Sequence, residues 1–282
     1  LVCAMLIFKK IEFQNEKMKE NMGKKEIKED IIKKISIITP YYHGKKYLKK
    51  LCDMIEKNHQ NIKGTALLEF ILVNDSPEEE IELETFKEYS FEYKVVVNER
   101  NMGIQKARIN GLENSTGEYI LFLDQDDEIL PNYIFSQYTK IEDNDVIICN
   151  GDLVKNSRIQ PIYHSIEEQN GAMDLKKHKY EAQIISPGLA LIKKEAIPSY
   201  WCENILQNLG ADDYFLWILM LYNNNKFTIN TDKLFCYNIS NNNYSKNKDR
   251  MKKSALEACD LLEKYNKGLY KEVTRTFRKM QT

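Results

Sequence analysis

Tyr119-Ile120-Leu121-Phe122-Leu123-Asp124-Gln125-Asp126-Asp127 is the stretch that decides the fold. A continuous apolar run too short for a helix reads as a strand buried on both faces, the mark of a parallel sheet covered by helices. The acids after it stand at the strand's carboxyl end, where open α/β sheets bind their ligands. Asp-x-Asp puts the side chains of Asp124 and Asp126 on one face, near enough to share a divalent cation. Their hard oxygens suit Mg²⁺ or Mn²⁺, ions that keep water and bind substrate phosphates, so a nucleoside diphosphate is the natural third party. An acid-rich turn is otherwise a solvated loop or a helix cap; the buried strand before it and a second acid after an upstream strand favour the site.

Working outward, Ile35-Ser36-Ile37-Ile38-Thr39 is a β-branched run stopped by Pro40, after which Leu48, Leu51, Cys52 and Ile55 recur at helical spacing. Further strands are expected at 67–73 and 93–97, and a helix at 103–114. Downstream the pattern predicts a helix from Pro131, a strand at 146–149, a long polar stretch at 151–183 read as a mobile loop over a site, a strand at 189–192, a helix at 212–222 and a short last strand at 233–237. Helices with interleaved charges follow at 251–264 and 270–279. Alternating strands and helices imply an α/β protein with a parallel sheet flanked by helices and a helical C-terminal tail.

The 282 residues are ample for a large core, and 43% apolar with 29% charged residues is ordinary for a folded globular protein. With 41 basic and 42 acidic side chains the net charge is −1, so nothing global draws nucleic acid. The charge is unevenly spread: residues 1–34 carry 9 basic and 6 acidic side chains and residues 246–282 carry 11 and 5, leaving an acidic middle. The basic tail is either a solvated helix face packed on the domain or a peripheral contact with anionic lipid. Cys3, Cys52, Cys149, Cys202, Cys236 and Cys259 form no C-x-x-C pair or zinc pattern and read as reduced structural thiols. The opening apolar run of eight residues is too short for a span, and its lysines follow it where a secretory signal has them first.

The strand ends are Pro40-Tyr41-Tyr42-His43, Asn74-Asp75-Ser76 and Asp124-Gln125-Asp126-Asp127, and the sequence there resembles the family 2 glycosyltransferases of GT-A fold, from Ile35 to about Tyr244. The resemblance implies a Rossmann-like, mixed but mostly parallel sheet. Pro40 and Tyr42 match the opening strand with its Pro-x-Tyr, whose second aromatic lies against the base; His43 reads as a loop residue. Asp75 matches the carboxylate that reads the nucleoside, and Arg108, after Asn101-Met102-Gly103 and before Gly111, matches a basic residue that faces the nucleotide, although Ile109 replaces the family's Asn. By the same resemblance Asp126 is the direct metal ligand and Asp124 lies nearer sugar and ribose. Gly210-Ala211-Asp212-Asp213 opens an apolar helix in the manner of the family's Gly-x-Glu-Asp. Asp213 then takes the place of the catalytic base, with Asp212 where Glu is usual, and Gly188 matches a position beside the acceptor.

Two departures bear on chemistry. The Arg-x-His that many non-processive members carry is Tyr237-Asn238-Ile239-Ser240 here, so that metal affinity is expected to be lower or Lys246 or Lys248 to neutralise the diphosphate. The Gln-x-x-Arg-Trp of processive relatives is missing too. The resemblance therefore implies an inverting transfer of one sugar from a nucleotide sugar, a UDP-sugar by expectation, to a glycan or lipid-linked acceptor, in the cytoplasm or at the inner face of the membrane. The expected parts are an extension at 1–34, disordered or helical, a catalytic domain at 35–245 and a basic helical tail at 246–282. The rival from another class is a non-catalytic nucleotide-sugar or glycan binding module. Nucleotidyltransferases and dehydrogenases are disfavoured, because Pro40-Tyr41-Tyr42-His43-Gly44 is no glycine-rich loop.

Overall fold

The computed structural model describes residues 32–155, 158–239, 247–269, 271 and 274–281; the expected extension lies almost wholly outside them, as do Ser240 and Lys246. Strands β1 (Lys34–Tyr41), β2 (Leu67–Asn74), β3 (Glu92–Val97) and β4 (Tyr119–Phe122) pair in parallel in the order β3-β2-β1-β4. The near-continuous burial of β1, β2 and β4, complete from Ile35 to Tyr41, explains why these strands read as largely apolar, whereas β3 at the sheet edge is mostly exposed. The crossovers into β2 and β4 are α-helices, and the one into β3 is the 3-10 turn Leu83–Glu88. Helix α1 (Lys45–Ile62) buries Leu48, Leu51, Cys52 and Ile55, the positions its sequence marks, and α2 (Ile104–Glu113) packs on β1 and β2.

Beyond β4 the sheet is mixed. β8 (Ala190–Lys193) runs antiparallel between β4 and β6 (Val146–Lys155), and β9 (Phe227–Asn238) runs parallel to β6, with β5 (Glu128–Ile129) at its edge. Helix α3 (Tyr133–Lys140) packs against α1 and β9.

The 151–183 stretch differs from the expected loop. β6 continues to Lys155 and turns into an antiparallel hairpin with β7 (Arg158–Pro161), followed by helical turns at Ile166–Asn170, Gly171–Met173 and Lys177–Lys179. Polar residues stitch it to the sheet: buried Gln169 donates to the carbonyls of Ile148 and Asn230, both at 2.9 Å, and Asn150 clasps the backbone of Tyr163. Side chains that satisfy strand backbone look, in a hydropathy pattern, like a solvated loop. β9 likewise begins well before the expected 233.

Helix α4 (Asp212–Tyr222) is buried on every side from Tyr214 to Met220. It packs against α5 (Lys248–Tyr265), which buries Ala255, Ala258, Cys259 and Leu262. A last helix, α6 (Arg275–Gln281), lies against α5 and the turn at Lys177–Lys179. Among the described residues no helix is long and apolar enough to cross a membrane.

Candidate active site

The carboxyl ends of β1, β2 and β4, the first turn of α4 and the tail helices enclose a cavity of about 1040 Å³. Pro40, Tyr42, Asp75, Arg108, Asp124, Asp126, Asp212 and Asp213, scattered over more than 170 residues of chain, all line it. Gly188 does not. It is buried in the 3-10 turn Pro187–Leu189 that leads into β8, its carbonyl accepting from the Tyr133 hydroxyl at 2.8 Å, and a Cβ there would meet the Phe235 ring at 2.5 Å; its neighbours Ser186 and Pro187 line the cavity instead.

Asp75 is buried and accepts three hydrogen bonds, from Asn98 Nδ2 (2.7 Å), Met102 N (2.8 Å) and Gly103 N (2.9 Å). Gly103 has φ of 85°, which an L residue rarely adopts, and this turn aims its N–H at the carboxylate. A carboxylate offers about four acceptor positions, so Asp75 keeps capacity for one more donor. Tyr42 is 48% exposed at the rim. Its backbone N–H and carbonyl are both bonded, at 3.0 Å, to the side chain of Gln125, the middle residue of the acid motif. This clasp between the first and fourth strand ends carries no sequence signal, since a Gln between two acids reads as filler.

Arg108, 3% exposed, spans the cavity floor. Its Nη1 reaches Asp212 Oδ2 and its Nη2 reaches Asp124 Oδ1, each at 2.5 Å, while Nε has no hydrogen-bond partner. Burial opposes the guanidinium charge most strongly, yet Asp124, Asp212 and Asp213 outweigh it and hold the group above its ordinary range. The guanidinium therefore welds the acid motif after β4 to the first turn of α4.

The remaining acids are short of positive charge. Burial and then the Asp212 charge push the Asp213 carboxyl up to about 7, against the pull of Arg108 and of the Tyr214 N–H, which donates to its Oδ1 at 2.7 Å. Burial and the charge of Asp124 raise Asp126, with Lys46 pulling the other way. Asp127, fully enclosed, is raised well above the carboxylate range by burial and by both neighbours. It accepts from Ser186 Oγ and from the N–H of Asn238, each at 3.3 Å. The Asn238 side chain donates to the carbonyl of Asp126 (2.9 Å) and to Glu128 (3.0 Å), so the residue near the expected Arg-x-His holds the acid loop from behind. Lys248, exposed at the start of α5, does not line the cavity; Lys46 does.

Among the described residues no three His, Cys, Asp or Glu side chains are grouped to hold a metal by themselves. Asp124 and Asp126 fit a divalent cation that takes its other oxygens from a substrate diphosphate and water, as Mg²⁺ and Mn²⁺ commonly do. The mutual repulsion of these acids is the feature such an ion relieves.

The sequence model of "Glycosyl transferase family 2" matches residues 36–201. An uncharacterised glycosyltransferase of Methanocaldococcus jannaschii is 27% identical over 78% of this chain and 74% of its own length. Among solved structures, Staphylococcus aureus TarS 1-349 in complex with UDP-GlcNAc superposes with a TM-score of 0.59 at 17% identity, over 82% of this chain and 66% of that one. The mannosyltransferase PcManGT of Pyrobaculum calidifontis, in complex with GDP-Man and Mn²⁺, gives 0.60 at 13% identity, over 88% and 70%. The curled sheet with helices on both faces is the fold they share.

Proposed function

This chain belongs to glycosyl transferase family 2 and is a glycosyltransferase, and from that premise we propose that it moves one sugar, with inversion, from a nucleoside-diphosphate sugar to an acceptor hydroxyl. UDP is the first candidate nucleotide. TarS is held with UDP-GlcNAc and PcManGT with GDP-Man, which supports the donor class. A glycan or lipid-linked acceptor, a cytoplasmic setting with peripheral membrane contact, and a division into a catalytic part at 35–245 and a tail at 246–282 go with the proposal; the basic tail supports the contact.

Pro40 and Tyr42 bear on the base, and the spare acceptor position of Asp75 on the nucleoside. Asp126 and Asp124 hold Mg²⁺ or Mn²⁺, an ion that when bound supplies positive charge to the departing diphosphate. PcManGT is held with Mn²⁺, which supports the class of ion. Lys46 adds a cation on the same side of the cavity. Asp213 takes the proton from the acceptor hydroxyl as that oxygen attacks the anomeric carbon and the bond to the diphosphate breaks. A base raised to about 7 is strong enough to accept that proton and is still about half ionised at neutrality. Asp212, anchored by Arg108, keeps it raised.

The observation that carries this reading is the meeting of Asp124, Asp126, Asp212 and Asp213 in one cavity, with Arg108 bridging Asp124 and Asp212. Its test is Asp213→Asn. UDP affinity, followed by calorimetry with Mn²⁺, is expected to hold within about twofold, while donor turnover falls by about 10² to 10⁴. Turnover that survives the substitution removes Asp213 from the chemistry.

A further inference from the structure

Strands β1 and β4 run side by side, paired from Ile35 against Tyr119 to Ile38 against Phe122, and the Leu123 N–H donates to the Ile38 carbonyl at 3.0 Å. There the ladder stops. β1 continues beside β2 to Tyr41 and delivers Pro40 and Tyr42 to the cavity. The chain after β4 turns away through Asp124-Gln125-Asp126-Asp127, a turn closed by the Asp127 N–H on the Asp124 carbonyl at 3.2 Å. The Gln125 side chain rejoins the two. Its Oε1 accepts from the Tyr42 N–H and its Nε2 donates to the Tyr42 carbonyl, both at 3.0 Å. A side-chain amide can donate and accept at once, as a peptide unit does, so Gln125 stands in for the next rung between the strands.

Tyr42 needs that hold. Its ring is 48% exposed and lies 4.3 Å, centroid to centroid, from the ring of His43, itself exposed, so packing does little to fix it. The backbone decides where the ring stands, and that backbone is unusual: His43 has φ of 45°, which a residue with a side chain seldom adopts. Gly44 serves the same arrangement. Its φ of −101° lies outside the left-handed region that favours glycine, yet a Cβ there would stand 2.2 Å from Gln125 Oε1 and 2.9 Å from the buried Tyr41 ring. Position 44 is glycine for room, and the Gln125 amide takes up that room.

Gln125 is joined by the chain itself to Asp124 on one side and Asp126 on the other, the acids assigned to the cation and the diphosphate. An element shared by two subsites couples them: whichever is filled first orders it, and the second ligand then meets a part already ordered. Resting on the transferase reading above, we infer that Gln125 is a positioning residue that links the two ends of the donor, seating Tyr42 on the base as Asp124 and Asp126 take up the cation and diphosphate, so that nucleoside and cation bind cooperatively. A whole nucleoside diphosphate is then favoured over its fragments.

The readout is the factor by which Mn²⁺ tightens the binding of UDP or GDP, whichever the full chain holds better, measured by calorimetry with and without the ion. Gln125→Met, which keeps the length and loses both bonds, is expected to lower that factor by about fivefold or more, with metal-free affinity held within about threefold as the sign of an intact fold. Gly44→Ala, whose methyl displaces the amide without touching an acid, is expected to do the same, and the two together no more than either alone. Tyr42→Ala also lowers the factor, and adding Gln125→Met to it is expected to lower it no further. A parent factor that both single variants keep overturns the coupling, as does a nucleotide affinity that Mn²⁺ leaves unaltered. A further fall on adding Gln125→Met to Tyr42→Ala would mean that the amide only braces the acids, and overturns it too. An unmodified chain that binds neither nucleotide would instead sink the transferase reading, so the two failures are separable.

Discussion

Arg108 joins two acids assigned to different halves of the reaction, Asp124 on the donor side and Asp212 beside the base. Its contact with a nucleotide, expected from the sequence, has to share a guanidinium whose two terminal nitrogens are already engaged. Position on α2 gives no hint of this, because the partners lie 16 and 104 residues away. Removing one member of a buried ion network leaves the others uncompensated, at about 3–5 kcal/mol. Arg108→Met is accordingly expected to lower unfolding stability by about that much at pH 7.5, and by clearly less at pH 4, where the stranded acids take up protons. Urea denaturation at the two pH values checks this, and an equal loss at both would mean that Arg108 acts by packing. Arg108→Lys, with charge but no fork, is expected to recover only part of the stability.

At the scale of elements, the strand ends and the acids on them were legible because buried parallel strands leave unbroken apolar runs and ligands gather where such strands stop. Asp75, Asp124 and Asp126 could be found that way, whereas Asp213, at the start of α4, comes only from the resemblance of Gly210-Ala211-Asp212-Asp213 to the family's motif. The elements that support them could not. β9 extends over Phe227–Asn238 with a bulge against β6 at Cys149–Gly151, and this irregular register, which no local pattern encodes, delivers Asn238 to the back of the acid loop. The Gln169 turn was hidden for a related reason, its polar residues serving the sheet backbone and not solvent. Asn238→Ala deletes the side-chain bonds to Asp126 and Glu128, which is expected to cost about 1–2 kcal/mol of stability. If β9 positions the acid loop for a cation, the same variant needs several-fold more Mn²⁺ for half-maximal enhancement of UDP binding, with metal-free UDP affinity unchanged. A stability loss without any shift in the Mn²⁺ titration would reduce Asn238 to a structural tie.

Over the whole molecule the acids fall into two classes with opposite consequences for stability. Asp53 is held low chiefly by the Tyr89 hydroxyl and Asp232 by Lys140, while Glu69 is pushed up by burial but held low overall by Ser36 and Thr116. Depressed acids contribute stability above their unfolded values that is lost as the pH falls through their folded values, so they disfavour the folded state in acid. Asp213 behaves in the reverse way: its folded value lies above the unfolded one, so its contribution is fully present below about pH 4 and is lost as the pH rises through about 7. The fold thus tolerates an ionised Asp213 at neutral pH at a cost in stability, as a base kept away from bulk water must. Asp213→Asn removes that cost, and its melting temperature is expected to match the parent near pH 4 and exceed it above pH 7.5. With the carboxylate partly open to the cavity and beside Arg108, the gain is set at about 1–2 kcal/mol, or roughly 2–8 °C for a chain of this size. Melting curves from pH 4 to 8.5 check it: curves that stay superimposed, or a variant less stable at pH 8, would mean that Arg108 already compensates the charge and that Asp213 is ionised well below neutrality, which would leave it too weak a base for the role proposed.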